Sequence, residues 1–374
     1  MKILVTGGAG FIGSFIVDEL VVRGHEVTIY DNLDPQVHGD ARAIPGYINK
    51  NAKFIKGDIL DEDTLYKALK DVDVLFHEAA AVGVGQSMYQ IKKYIEQNTL
   101  GAGVILDTLV NRKNKVKKML VASSMSIYGE GKYTCKAHGG VYPPLRTDEQ
   151  LKEKKWKLLC PECGEELEPV PTDEMKPLNP FSIYAITKRD HEEAFLSVGR
   201  VYKIPAVALR YFNVYGPRQA LSNPYTGVCA IFSSRLLNNE RPVIFEDGLQ
   251  SRDFIHVKDI VRANVLAMER EEADYQVFNV GSGRPQSILE IARILSEKIK
   301  PGAGIAPEIK HTFRAGDIRH CFADSTKIKS VLGFEPSVRF EDGIDDLTEW
   351  VSRQVCEDNV VQAMQELKNR GLAE

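Results

Sequence analysis

The chain is 374 residues long, 43% hydrophobic and 27% charged, with a formal net charge of −4. This length buries a sizeable core divided between two packed lobes, and the slight acidic balance excludes the basic excess of a nucleic-acid binder or a membrane-surface protein. No apolar run approaches the roughly 18 residues of a membrane span and MKILVTGG lacks the features of a signal peptide, so the six cysteines are expected as reduced thiols or metal ligands in a cytoplasm.

Lys2–Thr6 (KILVT) reads as a short apolar strand, and the glycine-dense GGAGFIGS follows at once. SFIVDELVVRGHEV then reads as an amphipathic helix running into Gly24, and VTIYDN as a second strand. Gly7, Gly10 and Gly13 fall where a strand must turn tightly into a helix and let a pyrophosphate approach the backbone. The helix N-terminus offers free N–H groups and a positive dipole end to the same phosphates. Asp31 closes the second strand at about the spacing of a ribose-binding carboxylate; a carboxylate there repels a 2′-phosphate, which favours NAD over NADP. KFIKGDILD is a third strand ending in Asp58, placed to meet an adenine edge. VDVLFHEAAAVG is a fourth, opening into small residues (Ala79–Ala81, Gly83, Gly85) that let the chain pass close to a flat cofactor, with His77 as a packed strand histidine. The basic run RKNKVKK reads as the solvated end of a helix. Alternating strands and helices predict an α/β fold, a Rossmann-type doubly wound parallel sheet.

KKMLVASSMSIYG is a fifth strand ending in hydroxyl residues, and NPFSIYAITKRDHEEAF a helix entered through Pro180. On that helix Tyr184 and Lys188 are four apart and share a face. A tyrosine near pKa 10 is a poor base at neutral pH, and a neighbouring ammonium would favour its phenolate. Ser124, at the strand end, could share the proton path to a substrate alcohol. Between Ser124 and Tyr184 the segment from about 131 to 170 is an insert carrying Cys135-Lys-Ala-His138 and Cys160-Pro-Glu-Cys163. Cys135, His138, Cys160 and Cys163 form the ligand set of a tetrahedral structural zinc site with no open position. The alternative is unmetallated thiols in a loop.

After Gly216-Pro217 the chain is expected to leave the cofactor sheet and build a smaller substrate lobe. The expected division is a dinucleotide-binding unit over 1–216, returning at about 252–280; a mixed α/β substrate lobe over 217–251 and 281–348; and a helical tail over 349–374 with no visible chemistry.

TGGAGFIG, YDN, SSMSIYG, YAITK, RYFNVYGP, RDFIHVKD, NVGSG and RAGDIRH together resemble the successive motifs of extended short-chain dehydrogenases/reductases. The nearest group is the NAD-dependent nucleotide-sugar epimerases and dehydratases, and the likeness spans about residues 1–348 apart from the insert. The resemblance implies catalytic roles for Ser124, Tyr184 and Lys188. It implies cofactor contacts from Gly7, Gly10, Phe11, Ile12, Gly13, Asp31, Asn32, Asp58, Ile59, Ala79, Ala80, Asn98 and Tyr211, besides Tyr184 and Lys188. Substrate contacts are implied for Ser124, Ser126, Tyr184, Asn213, Arg252, Arg314 and Asp317, the two arginines by analogy with the family's diphosphate-binding arginines. Sugar 4,6-dehydratases carry an Asp-Glu pair directly after the catalytic hydroxyl residue; Met125 and Ser126 stand here, which points to epimerisation at C4. VGVGQSMYQI, the insert and the tail most resemble the branch acting on dTDP-L-rhamnose and dTDP-6-deoxy-L-talose. A UDP-hexose (UDP-glucose or UDP-N-acetylglucosamine) 4-epimerase is the alternative, with Cys321 at the family's size gate for N-acetylated sugars; a net keto-sugar oxidoreductase and a non-enzymatic NAD sensor are weaker readings. The helices around 89–112 and 182–202 resemble those of a family homodimer interface.

Overall fold

The computed structural model describes residues 1–39, 44–314 and 316–373. Seven parallel strands build the central sheet: β1 (Lys2–Thr6), β2 (Glu26–Asp31), β3 (Lys53–Lys56), β4 (Val74–His77), β5 (Lys118–Ser124), β6 (Ala206–Tyr211) and β7 (Val277–Val280). Their spatial order is β7-β6-β5-β4-β1-β2-β3, the doubly wound arrangement expected of alternating β and α segments. Side chains alternate across it as strand geometry requires. Ile3, Val5, Ile29, Phe76 and Leu120 pack beneath helices Phe11–Val22 and Val257–Glu269. Leu4, Tyr30, Leu75, Met119 and Val121 pack beneath Glu62–Leu69, Gly101–Asn111 and Ile183–Tyr202. With both faces covered, the strands are nearly continuous apolar runs. Their carboxyl ends therefore meet along one edge, where β1, β4, β5 and β6 are neighbours.

The second lobe is built on strand Asn213–Tyr215, which runs parallel to Ser251–His256; the latter also pairs with Pro285–Ser287 and His320–Cys321. Helices Val228–Leu237, Ile288–Ile299 and Phe340–Val351 close a separate apolar core around them. The sequence put the return to the cofactor unit at about residue 252 and Asn213–Tyr215 on the near side of the boundary. Both strands belong to the small sheet, and the chain rejoins the large one through helix Val257–Glu269 and β7. The fully buried Asp253 carboxylate pins this junction by accepting from the backbone N–H groups of Ser282, Gly283 and Ala323.

The insert is a three-stranded antiparallel sheet, Lys132–Cys135, Gly139–Val141 and Glu168–Val170, closed at its root by the Lys132–Val170 pair. The expected helical tail contains Val360–Asn369, which folds back over the carboxyl edge of the large sheet. Among the described residues no helix is long and apolar enough to cross a membrane.

The β1 turn tests this packing. A Cβ on Gly13 would lie 2.2 Å from the Gly7 carbonyl oxygen, backbone that cannot rotate away. Gly13→Ala should lower stability by about 1–3 kcal/mol, read as a drop in Tm. Gly103→Ala, on a helix with nothing within 4 Å of the added methyl, should leave Tm unchanged or raise it.

Candidate active site

A cavity of about 650 Å³ opens along the carboxyl edge between the two lobes, within the usual range for small-molecule sites. At one end Gly7 adopts φ +68°, and a Cβ there would sit 2.6 Å from Ala79 N. The turn delivers helix Phe11–Val22 with Gly10 as an N-cap that offers no side-chain oxygen. Gly10, Phe11, Ile12 and Gly13 line the cavity, so the first N–H groups of the helix face it as an anion site. Asp31, 8% exposed, accepts from Ala9 N at 3.0 Å and Leu33 N at 2.8 Å. Two of the carboxylate's four lone-pair directions remain for ribose hydroxyls. Asn32, Ile59, Ala79 and Ala80 also line this wall. The residues present therefore fit a dinucleotide.

Two expected contacts stand back from the wall. Asp58 does not line the cavity: its carboxylate accepts from Leu60 N at 2.9 Å and Asn32 Nδ2 at 3.1 Å, while Gly57 and Ile59 reach the surface. Asn98 is fully buried on the π-helical turn Ile95–Leu100. Its amide accepts from Ala81 N at 2.7 Å and donates to Ala81 O at 3.0 Å and Thr187 Oγ1 at 2.9 Å. It ties the alanine wall to the catalytic helix instead of touching the cavity.

At the centre, Ser124 ends β5 and its Oγ accepts from the Ser126 hydroxyl at 2.9 Å. Tyr184 and Lys188 come from helix Ile183–Tyr202, whose start is capped by the Ser182 hydroxyl accepting from Ala185 N. Lys188 Nζ donates to Ala122 O at 2.8 Å. Burial pushes the Tyr184 phenol up to about 12, with a hydrogen bond from Ser124 pulling it back. The Lys188 ammonium is turned to the Ala122 carbonyl and feels the Glu78 carboxylate. Burial lowers Lys188 to about 8 against the pull of Glu78. Glu78 is itself pushed up to about 7 by burial, against Lys188 and a hydrogen bond from Tyr211. Tyr211 donates to Glu78 Oε1 at 3.0 Å and accepts from Asn264 Nδ2 at 2.7 Å.

The far end is lined by Asn213, Phe245, Glu246, Gln250, Arg252, Arg314 and Asp317. Arg314 pairs with Asp317 at 2.8 Å and lies over the Phe245 ring. Arg252 is directed at the carbonyls of Ser251, Ile318 and Arg319, so it braces the wall. Asn213 Oδ1, Gln219 Oε1 and Gln250 Oε1, all in residues of the cavity wall, are buried without a partner among the described residues, as acceptors are where a ligand supplies the donor. Cys321, expected at the size gate, is outside the lining: its strand pairs with Ser251–Arg252, and the thiol packs with Met125, Tyr128 and Phe212.

Sequence reasoning passed over Glu78, although a carboxylate inside VLFHEAAA is a signal. It expected the tail helix but gave it no part in the site, whereas its Val360, Ala363, Met364 and Leu367 line one side of the cavity, Leu367 against Gly85; no residue type announces that role.

In the insert, the donor atoms of Cys135, His138, Cys160 and Cys163 all lie within 4.8 Å of one another. Cys135 Sγ is 3.7 Å from Cys163 Sγ and 3.6 Å from His138 Nδ1, and Cys160 Sγ is 3.4 Å from His138 Nδ1. A tetrahedron with Zn–S arms of about 2.3 Å has S···S edges near 3.8 Å, so the cluster fits that ion. Glu162 Oε2, 3.6 Å from His138 Nε2, would fix the ring for metal binding.

A glycine turn under a helix N-terminus, an aspartate at the end of β2 and a Ser-Tyr-Lys cluster all line one cavity and fit a dinucleotide-dependent enzyme of sugar or alcohol chemistry. The model of the NAD dependent epimerase/dehydratase family matches residues 3–148 and 160–281. The chain belongs to that family, and the unmatched gap falls inside the insert. It is an isomerase. The chain is 35% identical, over 96% of its length and 97% of the relative's, to the dTDP-L-rhamnose 4-epimerase of Burkholderia thailandensis. Among solved structures it is similar to a UDP-N-acetylglucosamine 4-epimerase from Methanobrevibacter ruminantium in complex with UDP-N-acetylmuramic acid (34% identity, TM-score 0.76, covering 95% of this chain and 99% of that one). It is also similar to the Thermus thermophilus UDP-glucose 4-epimerase in complex with NAD (28% identity, TM-score 0.72, covering 95% and 100%).

The Glu78–Lys188 pair sets a pH expectation. Glu78 raises the Lys188 pKa, so Glu78→Gln removes that pull and the lysine loses its proton at lower pH. If the ammonium form is the active one, the alkaline limb of the kcat–pH profile moves to lower pH in the variant, with the acid limb unchanged or flattened.

Proposed function

We propose that the enzyme is a nucleotide-sugar 4-epimerase that interconverts dTDP-L-rhamnose and dTDP-6-deoxy-L-talose. The observation that carries the chemistry is the Ser124–Tyr184–Lys188 cluster with Met125 and Ser126, and no carboxylate pair, after Ser124. The C4 hydroxyl gives its proton to Tyr184, with Ser124 bonded to the same oxygen and Lys188 holding positive charge behind the phenol. NAD, when bound, accepts the C4 hydride and returns it to the opposite face of the keto sugar. Gly10–Gly13 would hold its pyrophosphate, Asp31 its adenine ribose, Asn32 and Ile59 its adenine, and Ala79, Ala80, Tyr211 and Lys188 the nicotinamide half. Asp58 and Asn98 position these groups from behind. Asn213, Arg314 and Asp317 would meet the nucleoside diphosphate, and Ser126 the sugar.

Two observations favour the deoxysugar over a UDP-hexose. The dTDP-L-rhamnose enzyme of B. thailandensis is similar over nearly the whole length, and Val82, Val84, Ala363, Met364 and Leu367 give the cavity apolar lining suited to a methyl substituent. The insert is read as holding one structural zinc, in a reducing cytoplasm that keeps its thiols available. Ile91, Leu100, Ile186 and Val201 are exposed on the two long helices beside the site, which supports a homodimer through that face.

Incubation with a panel of nucleotide sugars, read by NMR, should give dTDP-6-deoxy-L-talose from dTDP-L-rhamnose with no net change in NADH. A 4-keto-6-deoxy product or stoichiometric NADH consumption would overturn the reading. Tyr184→Phe should reduce kcat by about 10²–10⁴-fold and keep NAD bound on release by denaturation. Elemental analysis should return one zinc per chain, and Cys160→Ser should lose it.

A further inference from the structure

The insert does more than occupy the surface, because one of its side chains reaches the cavity wall. Arg146 lies between the strand Gly139–Val141 and the short helix Asp148–Lys152, and its side chain is 1% exposed. The guanidinium grips Glu246 with two parallel bonds, of 2.8 and 2.9 Å, and donates to Asp317 O at 2.9 Å. It also donates to Trp156 O at 3.2 Å within the insert. Glu246, fully buried at φ +55°, takes a third charged bond from Arg319 at 2.8 Å. Arg319 in turn grips Asp247 through both terminal nitrogens. From the root of the insert, Glu130 accepts from Tyr133 OH and from the backbone N–H groups of Arg319 and His320. Leu151 and Trp156 of the insert close an apolar contact with Phe313.

The segment that carries Arg314 and Asp317 is thus held at both ends by groups from the insert and by Glu246. A fork-to-carboxylate pair fixes orientation as well as distance, and removing one member of a buried charge network leaves the others uncompensated. We propose that Arg146 is a positioning residue for the nucleotide end of the site: it transmits the metal-held fold of the insert to the segment bearing Arg314 and Asp317, so that the insert governs nucleotide affinity and not the rate of the C4 chemistry. This rests on the reading of that end as the nucleoside-diphosphate site.

The test uses the full-length, NAD-loaded enzyme, with dTDP and UDP as calorimetric probes. Arg146→Ala should raise the Kd of the diphosphate that wild type binds, and the KM, about tenfold or more, with kcat and bound NAD little changed. Arg146→Lys keeps the charge without the fork and should fall between the two. Cys160→Ser should raise the same Kd, whereas Lys157→Ala, which removes a surface pair with Glu166, should not. If Arg146→Ala does not fold, Arg146→Lys supplies the same readout. Wild-type Kd and KM in a folded Arg146 variant, or a fall in kcat at unchanged KM, overturns the inference while the epimerase reading stands. Failure of the wild type to bind either diphosphate overturns both.

Discussion

One buried ammonium organises the centre of this molecule. Lys188 is 3% exposed, and its hydrogen bond to Ala122 O joins the catalytic helix to the end of β5. A cation in so apolar a place must be compensated or neutralised, and its neighbours are arranged accordingly. Glu78 supplies the opposing charge. His77 is held neutral by burial and the lysine's field, down to about 3, and His191 is likewise kept well below its usual value. The two rings lie 5.0 Å apart at a tilt of 35°, and Phe195 stacks on His77 at 5.3 Å. The Tyr184 phenol thus shares its helix and its burial with a cation whose neighbours are all arranged around it.

Much of this was legible because it is local. The glycine turn, the carboxylate at the end of β2, the x₂-spaced ligand pairs and the tyrosine and lysine one helical turn apart are patterns within a few residues, each with its own physical reason. Strand ends could be read as site positions because parallel sheets put them on one edge. Other positions turn on packing. Asp58 and Asn98 have the right polarity for cofactor contacts and stand just behind the cavity wall, bonded to Leu60, Asn32 and Ala81, a placement that only the folded chain decides. Cys321 sits beside Arg252 in the small sheet but outside the cavity lining, packed with Met125, Tyr128 and Phe212. Glu78 differs from these, since its pairing with Lys188 joins segments more than a hundred positions apart.

The second lobe follows the same logic of buried carboxylates used as pins. Asp253 gathers the N–H groups of Ser282, Gly283 and Ala323, and Asp259 those of Ser337 and Val338. Each joins stretches remote in sequence where no regular ladder could. Glu130 and Glu246 extend the pattern to the insert, so charge-assisted bonds join the segments that lie outside the lobe's apolar core.

The tail helix lines one side of the cavity and sets Leu367 against Gly85, segments far apart in the sequence. Contacts of such high sequence separation carry the largest loop-closure entropy and form late in folding. They are also among the first to open in sub-global fluctuations, since the helix has only Ala363 and Leu367 buried. The large sheet can therefore be complete before the cavity gains this wall, and a fluctuation that frees the tail helix leaves the sheet intact. The large sheet and the tail are thus separable in folding order, although they share one cavity.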